Sequence, residues 1–245
     1  MRVFLFGRAL GPAFVAIGAM AAASPALAAK TTRAAPNQRV RHGTSTNWSG
    51  YAVSGAGPYT TVSASWTQPA VECATTKAGY SAFWVGLDGD TSNTVEQTGT
   101  EANCSSGAAE YGAWYEMYPK RPVLYPKPVS PGDSFSASVT ALARGRFRLT
   151  LSDTTKGWSV TASQKRKSAA RSSAEVIAEA PATRKRVLPL ADFGTIGFSG
   201  ASVDGSLLTS STPGLEPITM ASGETVKAVP SPVSGGSFSD TWHHE

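Results

Sequence analysis

The chain has 245 residues, with 22 Lys and Arg against 17 Asp and Glu and a formal charge of +5. That excess is small and forms no basic stripe interleaved with aromatics, so no nucleic-acid partner is expected. Histidine occurs only at positions 42, 243 and 244. A Ser-His-Asp triad, a Cys-His dyad and a His-based zinc site each need an imidazole at the site. Chemistry therefore falls to carboxyls and amides, and no cofactor or metal is expected. Asp88-Gly-Asp90 is acidic but lacks the further ligands of a tight calcium loop.

The first 28 residues read as a secretory signal. Arg2 and Arg8 form a basic start, Ala9 to Ala23 is a short apolar run, and Ala26-Leu27-Ala28 has the small-x-small pattern of a cleavage site. The run is too short for a comfortable membrane span. Loss of Arg2 and Arg8 with the signal takes the charge from +5 to +3. A secreted, extracellular chain with no membrane contact after signal removal is expected. Residues 29–45 carry Arg33, Arg39 and Arg41, with Pro36 and Gly43 and no hydrophobic period. They read as a flexible basic arm or a short propeptide.

From residue 46 to 245 one β-rich domain is expected. Short strands are predicted at 50–54, 61–68, 81–87, 94–98, 112–118, 134–141, 146–152, 159–163, 174–179, 196–202 and 225–229, with a possible last strand at 237–242. Phe135, Ala137 and Val139 alternate with Ser136 and Ser138, the pattern of a strand with one wet face. Phe147, Leu149 and Leu151 alternate in the same way with Arg146, Arg148 and Thr150. Many short antiparallel strands imply an all-β sandwich. Cys73 and Cys104, the only cysteines, are expected to pair in an exported chain. Such a bridge is worth about 3–4 kcal/mol by chain entropy.

Three segments carry the candidate chemistry. Phe83 to Gly99 reads as strand, turn and strand, with Trp84, Gly86 and Asp88 on one face and Gln97 and Gly99 together on the return. Gly99 is expected to end that return strand. Trp114, Glu116 and Tyr118 share a face of the next strand. Glu175, Ile177 and Glu179 share a face of a fourth. With Asn47-Trp-Ser-Gly50, these segments resemble, in order, the glutamic peptidases, or eqolisins. Val176 departs from that pattern, where a large residue is common.

The resemblance implies two packed, curved sheets in a concanavalin or lectin-like jelly roll, with the active groove on the concave face. It also implies a Gln/Glu catalytic pair, carried by motif position onto Gln97 and Glu179. Glu175, on the same strand face, is the competing carboxyl. Gln97-Thr-Gly99 looks like an aspartic-peptidase triplet with the acid replaced, and the chain has no Asp-Thr-Gly or Asp-Ser-Gly. The base activates water and returns the proton to the leaving nitrogen; the amide holds water and oxyanion, with no covalent intermediate. Trp48, Trp84, Asp88, Trp114 and Glu116 are assigned to substrate contact. The expected activity is that of an acid endopeptidase, acting as a monomer on polypeptides. Two other readings compete: a secreted lectin-like module binding carbohydrate or protein, and a glycosidase using Glu116 and Glu179.

Overall fold

The computed structural model describes residues 35–183 and 185–245. The expected signal peptide, residues 1–28, and residues 29–34 of the arm lie outside them. The described chain is all-β and almost wholly antiparallel. Its strands are β1 (Arg39–Arg41), β2 (Thr44–Ser45), β3 (Trp48–Ser54), β4 (Thr61–Thr67), β5 (Tyr80–Leu87), β6 (Val95–Ser105), β7 (Ala108–Tyr118), β8 (Val123–Tyr125) and β9 (Ser134–Leu142). They continue with β10 (Arg146–Asp153), β11 (Trp158–Lys165), β12 (Ser173–Glu179), β13 (Thr195–Val203), β14 (Ser206–Leu207), β15 (Leu215–Ser222), β16 (Thr225–Pro230) and β17 (Phe238–Trp242).

Hydrogen bonding orders seven strands as β8-β7-β6-β5-β12-β3-β15. A second ladder runs β11-β10-β9-β4-β13-β17-β16-β15. Strand β15 belongs to both: Leu215–Ile218 pair with β3, and Met220–Ser222 pair with β16.

Period-2 patterning explains the core. Phe83, Val85 and Leu87 of β5 and Ala174, Val176 and Ala178 of β12 point to one side of the first ladder. They meet Phe135, Val139, Phe147, Leu149 and Leu151 of the second in one buried cluster. Each fully buried Phe, Leu or Val side chain stabilises the fold by about 1.5–3 kcal/mol. The other face of the first ladder carries a smaller cluster of Trp48, Trp84, Trp114, Ile177 and Ile218. Cys73 and Cys104 are bridged, 31 residues apart in sequence.

Several elements differ from the sequence expectation. Strand β6 passes through Gly99 and continues to Ser105. A Cβ at Gly99 would lie 2.0 Å from the Phe83 carbonyl oxygen and 2.7 Å from the Trp84 Cβ. This glycine makes room for a neighbouring strand instead of ending its own. Strand β15 was not expected; it contains Pro217. Part of the arm, read as lacking regular structure, forms β1 and β2. Among the described residues no helix is long and apolar enough to cross a membrane.

Candidate active site

Register decides which side chains meet. On β6, Gln97 stands opposite Glu116 of β7 and opposite Gly86 of β5. Gly86 stands opposite Glu175 of β12, and Glu175 opposite Ala52 of β3, which in turn faces Glu216 of β15. One row across five neighbouring strand pairs therefore reads Glu116, Gln97, Gly86, Glu175, Ala52, Glu216. The polar residues alternate with the smallest ones between Gln97 and Glu216. Gly86 is required there: a Cβ would lie 2.7 Å from the Trp84 ring and 3.2 Å from the Gln97 Cβ. Gln97 and Glu175 are thus two strands apart, about 9.5 Å between backbones, with Gly86 between them in the row and the edge of the Trp84 ring over that glycine.

Two residues along, the next row reads Trp114, Gly99, Trp84, Ile177, Gly50, Ile218. Large side chains again alternate with glycine, so the tryptophans pack beside the polar row. Trp48 meets Trp84 edge to face, with ring centroids 5.0 Å apart. Glu179 lies in a third row, between Trp48 and Ala82.

The two candidate carboxyls differ in their surroundings. Both are fully buried. Glu179 is well supplied with donors: Ala35 N–H at 2.7 Å and Asn47 Nδ2 at 3.4 Å to one oxygen, and Trp84 Nε1 at 2.8 Å to the other. Glu175 has no donor within hydrogen-bonding distance of either oxygen. Burial pushes both carboxyls well above the usual range. For Glu175 the Ser173 side chain opposes the shift, as does the Asp90 main chain, while the Asp90 and Asp88 charges add to it. For Glu179 the donors from Ala35, Trp84, Asn47 and Trp48 oppose it but do not cancel it. Glu179 is thus held by three donors, whereas the Glu175 oxygens accept from none.

Gln97 is oriented by its neighbour. Its Nε2 donates to Glu116 Oε2 at 3.1 Å, and its Oε1 has no partner. That leaves the carbonyl and the second amide hydrogen for a ligand. Asp88, assigned to substrate contact, is engaged by the main chain in this structure. With φ of +70° it turns the chain after β5 and accepts from Arg171 N–H at 2.7 Å and Ser172 N–H at 2.9 Å. It ties the loop before β12, and so helps place Glu175.

A profile of the peptidase A4 family matches residues 46–241. The chain belongs to this family. Aspergillopepsin-2 of Aspergillus niger is 31% identical over 180 residues, 64% of each chain. Scytalidopepsin B of Scytalidium lignicola is 36% identical over 138 residues, 54% of this chain and 51% of that one. Both alignments span less than two thirds of the relative's length. The crystal structure of scytalido-glutamic peptidase with a transition state analog inhibitor superposes with a TM-score of 0.71 at 28% identity, covering 81% of this chain and 98% of that one.

The matched A4 segment contains the whole polar row and Trp48, Trp84 and Trp114, and leaves out Ala35 to Ser45. Sequence reasoning missed Glu96 and Arg166, on the reverse side of β6. They pair at 2.9 Å under Gln97. Burial, with Asp88 adding and Arg166 opposing, pushes Glu96 up to about 8. No hydrophobic or motif signal marks this pair; only the register does. Among the described residues no group of three or more His, Cys, Asp or Glu is placed to hold a metal.

Proposed function

We infer that this A4-family chain is an exported endopeptidase that hydrolyses polypeptides in acid, with Glu175 and Gln97 as the reacting pair. One observation carries the assignment: these two residues share a row across the sheet with only Gly86 between them. Glu179, the carboxyl assigned from motif position, lies two rows away and is held by three donors. The base role therefore passes to Glu175.

The chemistry follows from the groups. A water between the two strands is activated by the Glu175 carboxylate, and its oxygen attacks the scissile carbonyl carbon. Gln97 Oε1 accepts from that water, and the Nε2 hydrogen not committed to Glu116 donates to the oxyanion. Glu175 then returns the proton to the leaving nitrogen, and the peptide bond breaks without a covalent intermediate. Desolvation favours the protonated carboxyl that this last step needs. The ionised form arises when substrate and water enter and rehydrate the groove. Trp48, Trp84 and Trp114 supply apolar contact area beside the reacting pair.

The two ladders are read as the two sheets of a jelly-roll sandwich with this row on the concave face. Export is supported by the signal-like first 28 residues and by the Cys73–Cys104 bridge. The deciding assay offers denatured protein to the purified chain across pH 2 to 8, with serine, cysteine, metal and pepstatin-type inhibitors present. Cleavage in acid that survives all four is expected. Cleavage confined to alkaline pH, or abolished by a chelator, contradicts the assignment. Binding without cleavage at any pH returns the chain to the lectin-like alternative.

A further inference from the structure

Residues 35–39 lie against Glu179, Asn47 and Trp48, with a bend at Pro36, and they are gripped mainly by their backbone. Ala35 N–H donates to Glu179 Oε1 at 2.7 Å. The Ala35 carbonyl accepts from Trp48 Nε1 at 2.8 Å and more distantly from Asn47 Nδ2. Asn47 Nδ2 also donates to the Pro36 carbonyl at 3.2 Å, and Asn47 Oδ1 accepts from Gln38 N–H at 2.7 Å. Asn37 N–H donates to the Gly89 carbonyl at 3.0 Å. The gripping side chains Glu179, Trp48 and Asn47 are fully buried.

The direction of this segment matters. It begins at Glu179 and ends with Arg39, whose guanidinium reaches Asp90 at 2.7 Å and Glu216 at 3.2 Å. Glu216 stands in the row of Glu175. The segment thus starts at Glu179, bends at Pro36, curls around the Asn47 side chain and pairs with β2 at Arg39. It is not part of the A4-family match, which starts at residue 46. If it leaves, Glu179 Oε1 keeps only the 3.4 Å contact with Asn47, and a buried oxygen without a donor is costly. A backbone N–H from another chain restores what is lost.

We propose that Glu179, Asn47, Trp48 and the Gly89 carbonyl form a clamp for the main chain of a bound polypeptide, and that Ala35–Arg39 is its resident occupant. Because the clamp reads N–H and C=O groups, it is indifferent to most side chains. Arg39 adds an ion-paired anchor that keeps the chain's own segment seated. Substrate and arm compete for one site, so the arm sets the apparent KM. The clamp serves a substrate only under the peptidase reading, so binding and cleavage are measured separately.

The probe is a fluorescent peptide with the sequence of residues 33–41, titrated into the full chain carrying Asn37→Ala and Arg39→Ala, which loosen the resident arm. The peptide should bind this variant at least tenfold more tightly than it binds the wild-type chain. A second peptide, N-methylated at the position of Ala35, lacks the hydrogen given to Glu179 and should bind at least tenfold more weakly. Unlabelled peptide should raise KM in the loosened variant and leave kcat unchanged. Equal binding of the two peptides overturns the clamp, as does equal binding to variant and wild type. Binding that leaves KM unmoved overturns its role toward substrate. N-methyl-sensitive binding to a chain that cleaves nothing upholds the clamp and defeats the peptidase reading instead. Thermal melts of the variant establish that it is folded.

Discussion

Gln97 and Glu175 stand on either side of Gly86, in one row of a sheet whose next row is built from tryptophan, isoleucine and glycine. Neither residue is close to the other in sequence. The distance is closed by β5, which pairs with β6 on one side and β12 on the other.

The first expectation is that Glu175→Gln removes turnover. Loss of a general acid and base typically lowers the rate by about 100 to 10,000-fold. The substitution is nearly isosteric and removes a desolvated carboxyl, so the melting temperature should hold or rise. Glu179→Gln should instead act mainly through KM, because its oxygens hold Ala35 and Trp84. Steady-state kinetics on both variants in acid separate the two carboxyls; a dead Glu179→Gln beside an active Glu175→Gln reverses the assignment.

Gln97→Ala should lower kcat by about 100 to 1,000-fold, the usual effect of removing an oxyanion donor. Glu116→Gln should do less, since its oxygen orients the Gln97 amide and a neutral amide oxygen can still accept from it. A Gln97→Ala variant with wild-type kcat excludes the amide from the reaction.

Gly86→Ala tests the packing of the row. The added methyl meets the Trp84 ring at 2.7 Å and the Gln97 Cβ at 3.2 Å. Overpacking of this kind destabilises by about 1–3 kcal/mol, and it also pushes Gln97 out of line. Both a lower melting temperature and a lower kcat are expected; wild-type values for both show that the ring moves aside freely.

Stability should fall as pH rises. Asp240 is fully buried, accepts from Ser49 Oγ at 2.9 Å, and burial pushes it up to about 8 from 3.8. Glu96 is raised to about 8 and Glu175 and Glu179 are raised as well. Each binds its proton more tightly when folded than when unfolded, so the native state holds more protons. The stabilisation is complete below about pH 4 and is lost between there and about pH 8. Melts from pH 3 to 8 should show this slope, and Asp240→Asn should flatten it; a melting temperature that climbs toward pH 8 contradicts the direction.

Much of the fold was readable from residue alternation. The inward faces of β5, β9, β10 and β12 were all marked by period-2 apolar residues, because one face of each strand packs in the core. What failed were the residues with two meanings. Gly99 reads as a strand end but serves as clearance under Trp84, and Pro217 reads as a breaker but sits within β15. The polar row was half visible. Alternation places Glu175 and Glu179 on one face, yet only the pairing of β12 with β5 says which of them meets Gln97. Register is a long-range property, set by packing and not by the strand's own sequence. The docked arm left no signal, because its backbone makes most of the contacts and any composition supplies a backbone.

Strand β15 gives its first half to one ladder and its second half to the other. Neither ladder can therefore lose its seam to this strand while the other stays whole. The chain should melt as one unit, and its amide protons along 215–222 should be among the last to exchange with solvent. A cut in this hairpin by another protease would open both halves at once. Durability among peptidases then depends on how seldom that shared strand comes loose.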